Sequence, residues 1–180
     1  MIFDTITNLP TIQARRFILR PLRKSDAGLL ELHMGDERVA RATAAIAHPL
    51  PPGATEAYIA RAQRADRDDD IWVMDGSASG LAEVLGVVWL TRMDRDQSEI
   101  NFWVAPAFWN AGIASEAVRA MIRANPHEAR TMFAEVFQDN PASARVVTNA
   151  GFEYLGDAEA FSVARGVTVP TWTYVKKLAD

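Results

Sequence analysis

Trp109-Asn110-Ala111-Gly112-Ile113-Ala114 is the stretch on which the reading of this chain turns. An apolar strand pattern ending at Pro106 leads into it. After it, Ile113, Ala117, Met121 and Ala124 recur at helical spacing. A small-residue turn that runs straight into a helix presents unpaired backbone N–H groups at the positive end of the helix dipole. Such a turn binds an anion, and the natural one is a phosphate or pyrophosphate. Gly112 sits where the backbone must approach that anion closely. Ala111 and Ala114 keep the surroundings small, and Asn110 tolerates left-handed backbone. Read in isolation, the same six residues are equally an ordinary strand-to-helix turn with no ligand.

Two further signals follow in fixed order. Asn140-Pro141-Ala142-Ser143 opens a second helix, with Asn140 as a good N-cap and Pro141 suited to the first helical position. Gly151-Phe152 closes that helix and starts a strand. Upstream, alternation along Glu99–Val104 puts Ile100, Phe102 and Val104 on one face and Glu99, Asn101 and Trp103 on the other. Capping explains Asn140 and Pro141 completely. Ser143 could bond the helix backbone, and Glu99 could be a surface residue on a half-exposed strand.

Together these motifs resemble the cofactor-binding region of the GNAT N-acetyltransferases, in particular the RimJ/RimL branch. The resemblance spans residues 12–178, and its specific part is Glu99 to Phe152. In the family pattern Gln or Arg opens the turn and a glycine follows. Here Trp109 and Asn110 hold those places, a mild departure because Trp is familiar at the first of them in the branch. The resemblance implies acetyl-coenzyme A as co-substrate. Its phosphates would sit on Trp109, Asn110, Ala111, Gly112, Ile113 and Ala114. Its pantetheine would bond the backbones of Phe102, Trp103 and Val104, with Asn140 near the pantetheine or acyl region. Glu99 matches an acidic position that would take the proton of an acceptor amine, often through water. Ser143 is placed near the sulfur, where a hydroxyl would assist departure of the thiolate. His48, before Pro49, lies in the loop where family members contact the acceptor, and is read as a substrate-loop candidate.

The fold the resemblance implies is mixed α/β: a central twisted, mostly antiparallel sheet of about seven strands flanked by helices. The residue patterns agree with that layout. Strands are expected at 16–22, 71–74, 83–90, 97–104 and 132–137, with a last hairpin over 152–163 and 168–178. Helices are expected from Ser25 or Asp26 to Gly35, at 54–65, at 112–124 and at 141–150. The segment from Arg38 to Pro52 reads as irregular, and the charged run Asp66–Asp70 as a solvated loop. One domain over residues 12–178 follows, with 1–11 as an N-terminal extension.

Composition narrows the function. The chain has 180 residues, a formal net charge of −4 and no cysteine. A basic nucleic-acid surface is disfavoured by that charge. The lack of cysteine excludes disulfides, thiolate metal sites and a cysteinyl acyl-enzyme, so direct transfer in a ternary complex is the default. The three histidines, His33, His48 and His127, are scattered, and no metal is expected. No secretory signal is read in Met1–Pro10 and no stretch is apolar and long enough to span a membrane. A cytoplasmic enzyme is the simple reading. A homodimer is compatible with the branch, though no interface pattern marks one.

The expected acceptor is an amine: a peptide N-terminus, or a small molecule such as an antibiotic. Two other classes compete. A dinucleotide-dependent oxidoreductase would share the phosphate turn, but the full Gly-x-Gly-x-x-Gly is missing and the turn follows antiparallel strands. A non-catalytic acyl-CoA-binding sensor would need the Gly112 turn and neither Glu99 nor Ser143.

Overall fold

Alternating apolar residues along 69–104 build three consecutive antiparallel strands, and the rest of the sheet grows from them. The computed structural model describes residues 9–178, so most of the expected extension, residues 1–8, lies outside the described residues. The elements are β1 (Ile12–Gln13), β2 (Ile18–Pro21), α1 (Ala27–Met34), α2 (Glu37–Ala42), α3 (Ala54–Ala62), β3 (Asp69–Asp75), β4 (Gly86–Met93), β5 (Gln97–Val104), α4 (Ile113–Ala124), β6 (Thr131–Phe137), α5 (Pro141–Asn149), β7 (Glu153–Ser162) and β8 (Val167–Lys177). They form an eight-stranded sheet in the order β1-β2-β3-β4-β5-β6-β8-β7. Every neighbouring pair is antiparallel except β5–β6.

Each face of the sheet buries one set of alternating side chains. Leu90, Ile100, Met132 and Ala134 pack with Ala117 and Met121 of α4 and Val147 of α5. Val73, Val87 and Trp103 pack on the other face with Leu30, Met34, Val39 and Ile59. Each large apolar side chain so buried stabilises the fold by about 1.5–3 kcal/mol before chain entropy is counted.

The parallel pair β5–β6 is short. Its register runs only from Gln97↔Thr131 to Glu99↔Phe133. Beyond that point β5 stays with β4 as far as Val104↔Gly86, while β6 follows β8 as far as Phe137↔Thr171. Each strand is held by its antiparallel partner, so the two splay apart and the edge of β5 from Ile100 to Val104 has no strand beside it.

Four expectations are corrected. The eighth strand is β1, two residues long and without an alternation that would announce it. The segment expected to be irregular contains α2, capped by Asp36, whose side chain accepts from Arg38 N. The run Asp66–Asp70 is not wholly a solvated loop, because Asp69 and Asp70 open β3 and Asp70 is 2% exposed. Arg67 Nε and His127 Nε2 reach its carboxylate at 2.7 and 2.6 Å, and Ser98 Oγ lies 2.7 Å from His127 Nδ1. Asp26, one of the two expected caps with Ser25, does stand at the N-cap of α1, but its side chain makes no cap bond and instead accepts from the buried Arg20, whose Nη1 and Nη2 donate to it at 2.9 and 2.8 Å.

Gly86 fixes the contact of β4 with the free-edged part of β5. A Cβ there would lie 2.2 Å from Trp103 O and 2.9 Å from Val104 Cα, both backbone atoms that cannot swing aside. Gly86→Ala should therefore destabilise the protein by about 1–3 kcal/mol. A urea unfolding curve reads this directly, and an unchanged midpoint would show that β4 and β5 are not so closely apposed.

Candidate functional site

The end of β5 is pinned before the chain turns. Ala105 N donates to Leu85 O, a single helical turn spans Pro106–Phe108, and Trp109 Nε1 donates to Val104 O at 2.7 Å. The Arg38 guanidinium lies over the Trp109 ring at 5.8 Å. Trp109 is thus a clasp between the strand end and the turn. Asn110 and Gly112 then take left-handed backbone, with φ of 61° and 77°. A Cβ on Gly112 would meet only Arg16 Nη2, at 3.5 Å, so conformation and not packing within the protein selects glycine there.

Gly112 is the N-cap of α4, and no side chain caps that helix. The first N–H groups of α4 are therefore left for a ligand. Glu116, in the first turn of α4, would oppose an anion, but Arg16 neutralises it: its backbone N and its Nε donate to the two carboxylate oxygens at 2.8 and 2.9 Å.

A cavity of about 500 Å³ opens at this turn. Phe102, Trp103, Val104, Trp109, Asn110, Gly112, Ile113 and Ala114 line it on one side, and Asn140, Ser143 and Val146 on the other. Its lining carries four guanidinium groups, from Arg38, Arg41, Arg145 and Arg165, against one carboxylate, Asp139. Arg165 also donates to Arg41 O at 2.8 Å and pairs with Asp139, tying the β7–β8 turn to α2 across the cavity. Arg38, Arg41 and Arg165 are paired with Asp36, Glu37 and Asp139, so among the described residues Arg145 and the α4 dipole are the positive features that suit an anionic ligand.

A second cavity, of about 370 Å³, lies on the same side of β5 as Glu99. Ala42, Phe102, Asn140 and Ser143 line both cavities, so the two meet at the N-terminus of α5. Asn140 Oδ1 accepts from Ser143 N at 3.3 Å. Ser143 Oγ makes no hydrogen bond among the described residues, so the backbone bond open to a helix-start serine is not formed. Glu99 accepts from Asn101 Nδ2 at 3.0 Å. Burial pushes its carboxyl above the usual range. The Asn101 bond opposes the rise, and the charges of Glu135 and Asp69 reinforce it.

The structure therefore brings Glu99, Phe102, Asn140 and Ser143 together around one chamber and Trp109, Asn110, Gly112, Ile113 and Ala114 around the other. Ala111 is exposed within the turn, His48 is exposed in the loop after α2, and neither lines either cavity. Sequence reasoning missed Arg16, the rim arginines and Glu135. Glu135 had a signal: it interrupts the apolar run Met132–Phe137 and shares a face with Phe133 and Phe137. Chemically, a chamber suited to an anion, joined through a free hydroxyl to one holding a carboxylate, could hold two molecules side by side.

No curated protein matches the sequence significantly. Solved structures share the fold. One is RimL, the ribosomal L7/L12 alpha-N-protein acetyltransferase in complex with coenzyme A, with a TM-score of 0.79 and 17% identity over 95% of this chain and 100% of that one. Another is the microcin C7 self-immunity acetyltransferase MccE with acetyl-CoA and AMP, at 0.77 and 17% over 90% and 92%. A third is the Vibrio cholerae spermidine N-acetyltransferase with CoA and spermine, at 0.76 and 13% over 91% and 96%. At such identities the likeness is one of fold. The family is decided by the acetyltransferase (GNAT) domain pattern, which matches residues 16–153, and the chain belongs to the GNAT acetyltransferases.

Proposed function

We propose that the protein is an acetyl-coenzyme A-dependent N-acetyltransferase that moves the acetyl group directly onto a primary amine, with both substrates bound at once. The observation that carries this reading is the meeting of the two cavities at Asn140 and Ser143. The residues present fit the co-substrate. The uncapped start of α4 and Arg145 suit its phosphates, and the unpaired edge of β5 suits its amide-bearing arm.

Bound acetyl-coenzyme A supplies an activated acyl group as a thioester. This chain's residues do the rest. Glu99 accepts a proton from the acceptor amine, since only the neutral amine is nucleophilic. Its buried position strengthens its hold on that proton. The Ser143 hydroxyl, free of protein partners, donates toward the position of the departing sulfur. Free N–H groups of β5 would polarise the carbonyl that is attacked. With no cysteine in the chain, Ser143 would be the remaining nucleophile near the junction, and no base is bonded to it. The RimJ/RimL-like resemblance points to a protein N-terminal amine among acceptors.

Gly112→Glu should abolish acetyl-coenzyme A binding, because it strains a backbone at φ 77° and puts a carboxylate where phosphates bind. Calorimetry on a variant shown by circular dichroism to be folded is the check, and unchanged affinity would place the phosphates elsewhere.

Glu99→Gln should lower kcat about 10²-fold while leaving acetyl-coenzyme A affinity nearly constant. The wild-type kcat/KM should rise with pH as Glu99 loses its proton, with the midpoint above the ordinary glutamate value of about 4.3, and the variant should lack that limb. A variant that turns over its amine at the wild-type rate would remove Glu99 from the mechanism.

A further inference from the structure

The second cavity contains more negative charge than one amine acceptor needs. Glu99 and Glu135 both line it, and no lysine, arginine or histidine does. They stand on opposite walls of the slot between β5 and β6. Glu99 is level with Phe133, and Glu135 is the next position of the same face along β6, two residues or roughly 7 Å further on. Past Glu99 the strands have already parted, so the two carboxylates flank open space and not a hydrogen-bonded ladder.

Two further polar atoms at this end of the cavity are unsatisfied. Glu135 Oε1 is buried with no hydrogen-bond partner among the described residues. The same holds for Oγ1 of Thr171, a lining residue that is 1% exposed. A buried acceptor without a donor is costly, and a carboxylate without a cation more so. Trp89 adds an aromatic wall, which suits methylene groups and an ammonium alike.

From this arrangement we infer that the acceptor is a small aliphatic di- or polyamine, with its reacting amine at Glu99 and a second ammonium held by Glu135. The inference rests on the acetyltransferase reading. A monoamine, or a peptide N-terminus followed by neutral residues, would leave Glu135 without a counter-charge. In the reaction one amine gives its proton to Glu99, and a new bond joins its nitrogen to the acetyl carbon. The carbon–sulfur bond breaks, the nitrogen's second proton passes to the sulfur by way of the Ser143 hydroxyl, and coenzyme A leaves as the thiol. The second ammonium remains at Glu135, chemically unchanged. Glu135 is thus a specificity residue, separate in role from the proton acceptor.

The test uses the full chain with acetyl-coenzyme A and measures thiol release. The acceptors are 1,4-diaminobutane, butylamine and a peptide whose first residues are uncharged. The diamine should exceed butylamine in kcat/KM by about 10- to 100-fold, the scale of one charge-assisted hydrogen bond. Glu135→Gln, close to the original in shape, should raise the diamine KM by a similar factor and bring the diamine-to-monoamine ratio toward one. Glu135→Asp should restore part of that preference, which a merely structural role would not. Equal use of butylamine, preference for the peptide, or an undiminished ratio in Glu135→Gln would overturn the inference while leaving the acetyltransferase reading intact. Absence of thiol release with every amine, together with no acetyl-coenzyme A binding by calorimetry, would overturn both.

Discussion

The parting of β5 from β6 is the constraint on which the site depends. A parallel pair is slightly weaker per residue than an antiparallel one, and here it must compete with two antiparallel ladders. β4 holds β5 through eight register pairs and β8 holds β6 through seven, against three for β5–β6. The sheet therefore opens where its weakest seam runs. The gap leaves backbone donors and acceptors of β5 without strand partners, and it sets the N-termini of α4 and α5 on either side of one slot. Gly86 belongs to this constraint, because its missing side chain lets β4 grip β5 up to its last residue.

Charge divides the slot into two chambers. On the α4 side the helix start, Arg145 and the neutralised Glu116 give a field that attracts anions. On the other side Glu99 and Glu135 give one that attracts cations. On the proposed reading, an anionic co-substrate and a cationic acceptor would be sorted to opposite ends before any chemistry occurs. They meet where Phe102, Asn140 and Ser143 face both chambers. Asn140 serves this junction twice. Its Oδ1 caps α5, and its Nδ2 has no partner among the described residues and remains available at the junction.

Much of this was legible in the residues. The β3–β5 meander followed from alternation, α4 from its apolar spacing, and α5 from Asn140-Pro141. The left-handed turn at Asn110 and Gly112 followed from residue type. What escaped has physical reasons. β1 is two residues long, too short to show a period. α2 is only six residues, too short to show a helical face, and the breakers His48-Pro49 and Pro51-Pro52-Gly53 follow soon after it. Asp70 read as part of a solvated loop, and the burial of Arg20 had no sequence signal, because local sequence does not reveal partners far along the chain: His127 is 57 residues from Asp70, and Asp75 is 55 from Arg20. Arg16 and Glu116, 100 residues apart, show the same blindness at the site itself. Glu99 and Ser143 are singled out by motif spacing, and their proposed roles rest on it. Glu135 has no motif, and its role emerges only when β6 is seen turning that face toward Glu99.

If the two chambers act as one site, both substrates must be present before the acetyl group moves. Initial rates measured over a grid of acetyl-coenzyme A and amine concentrations test this most directly. Direct transfer predicts double-reciprocal lines that intersect, with no acetylated protein formed from acetyl-coenzyme A alone. Parallel lines, together with an isolated acetyl-protein that passes its acetyl group to the amine, would contradict it.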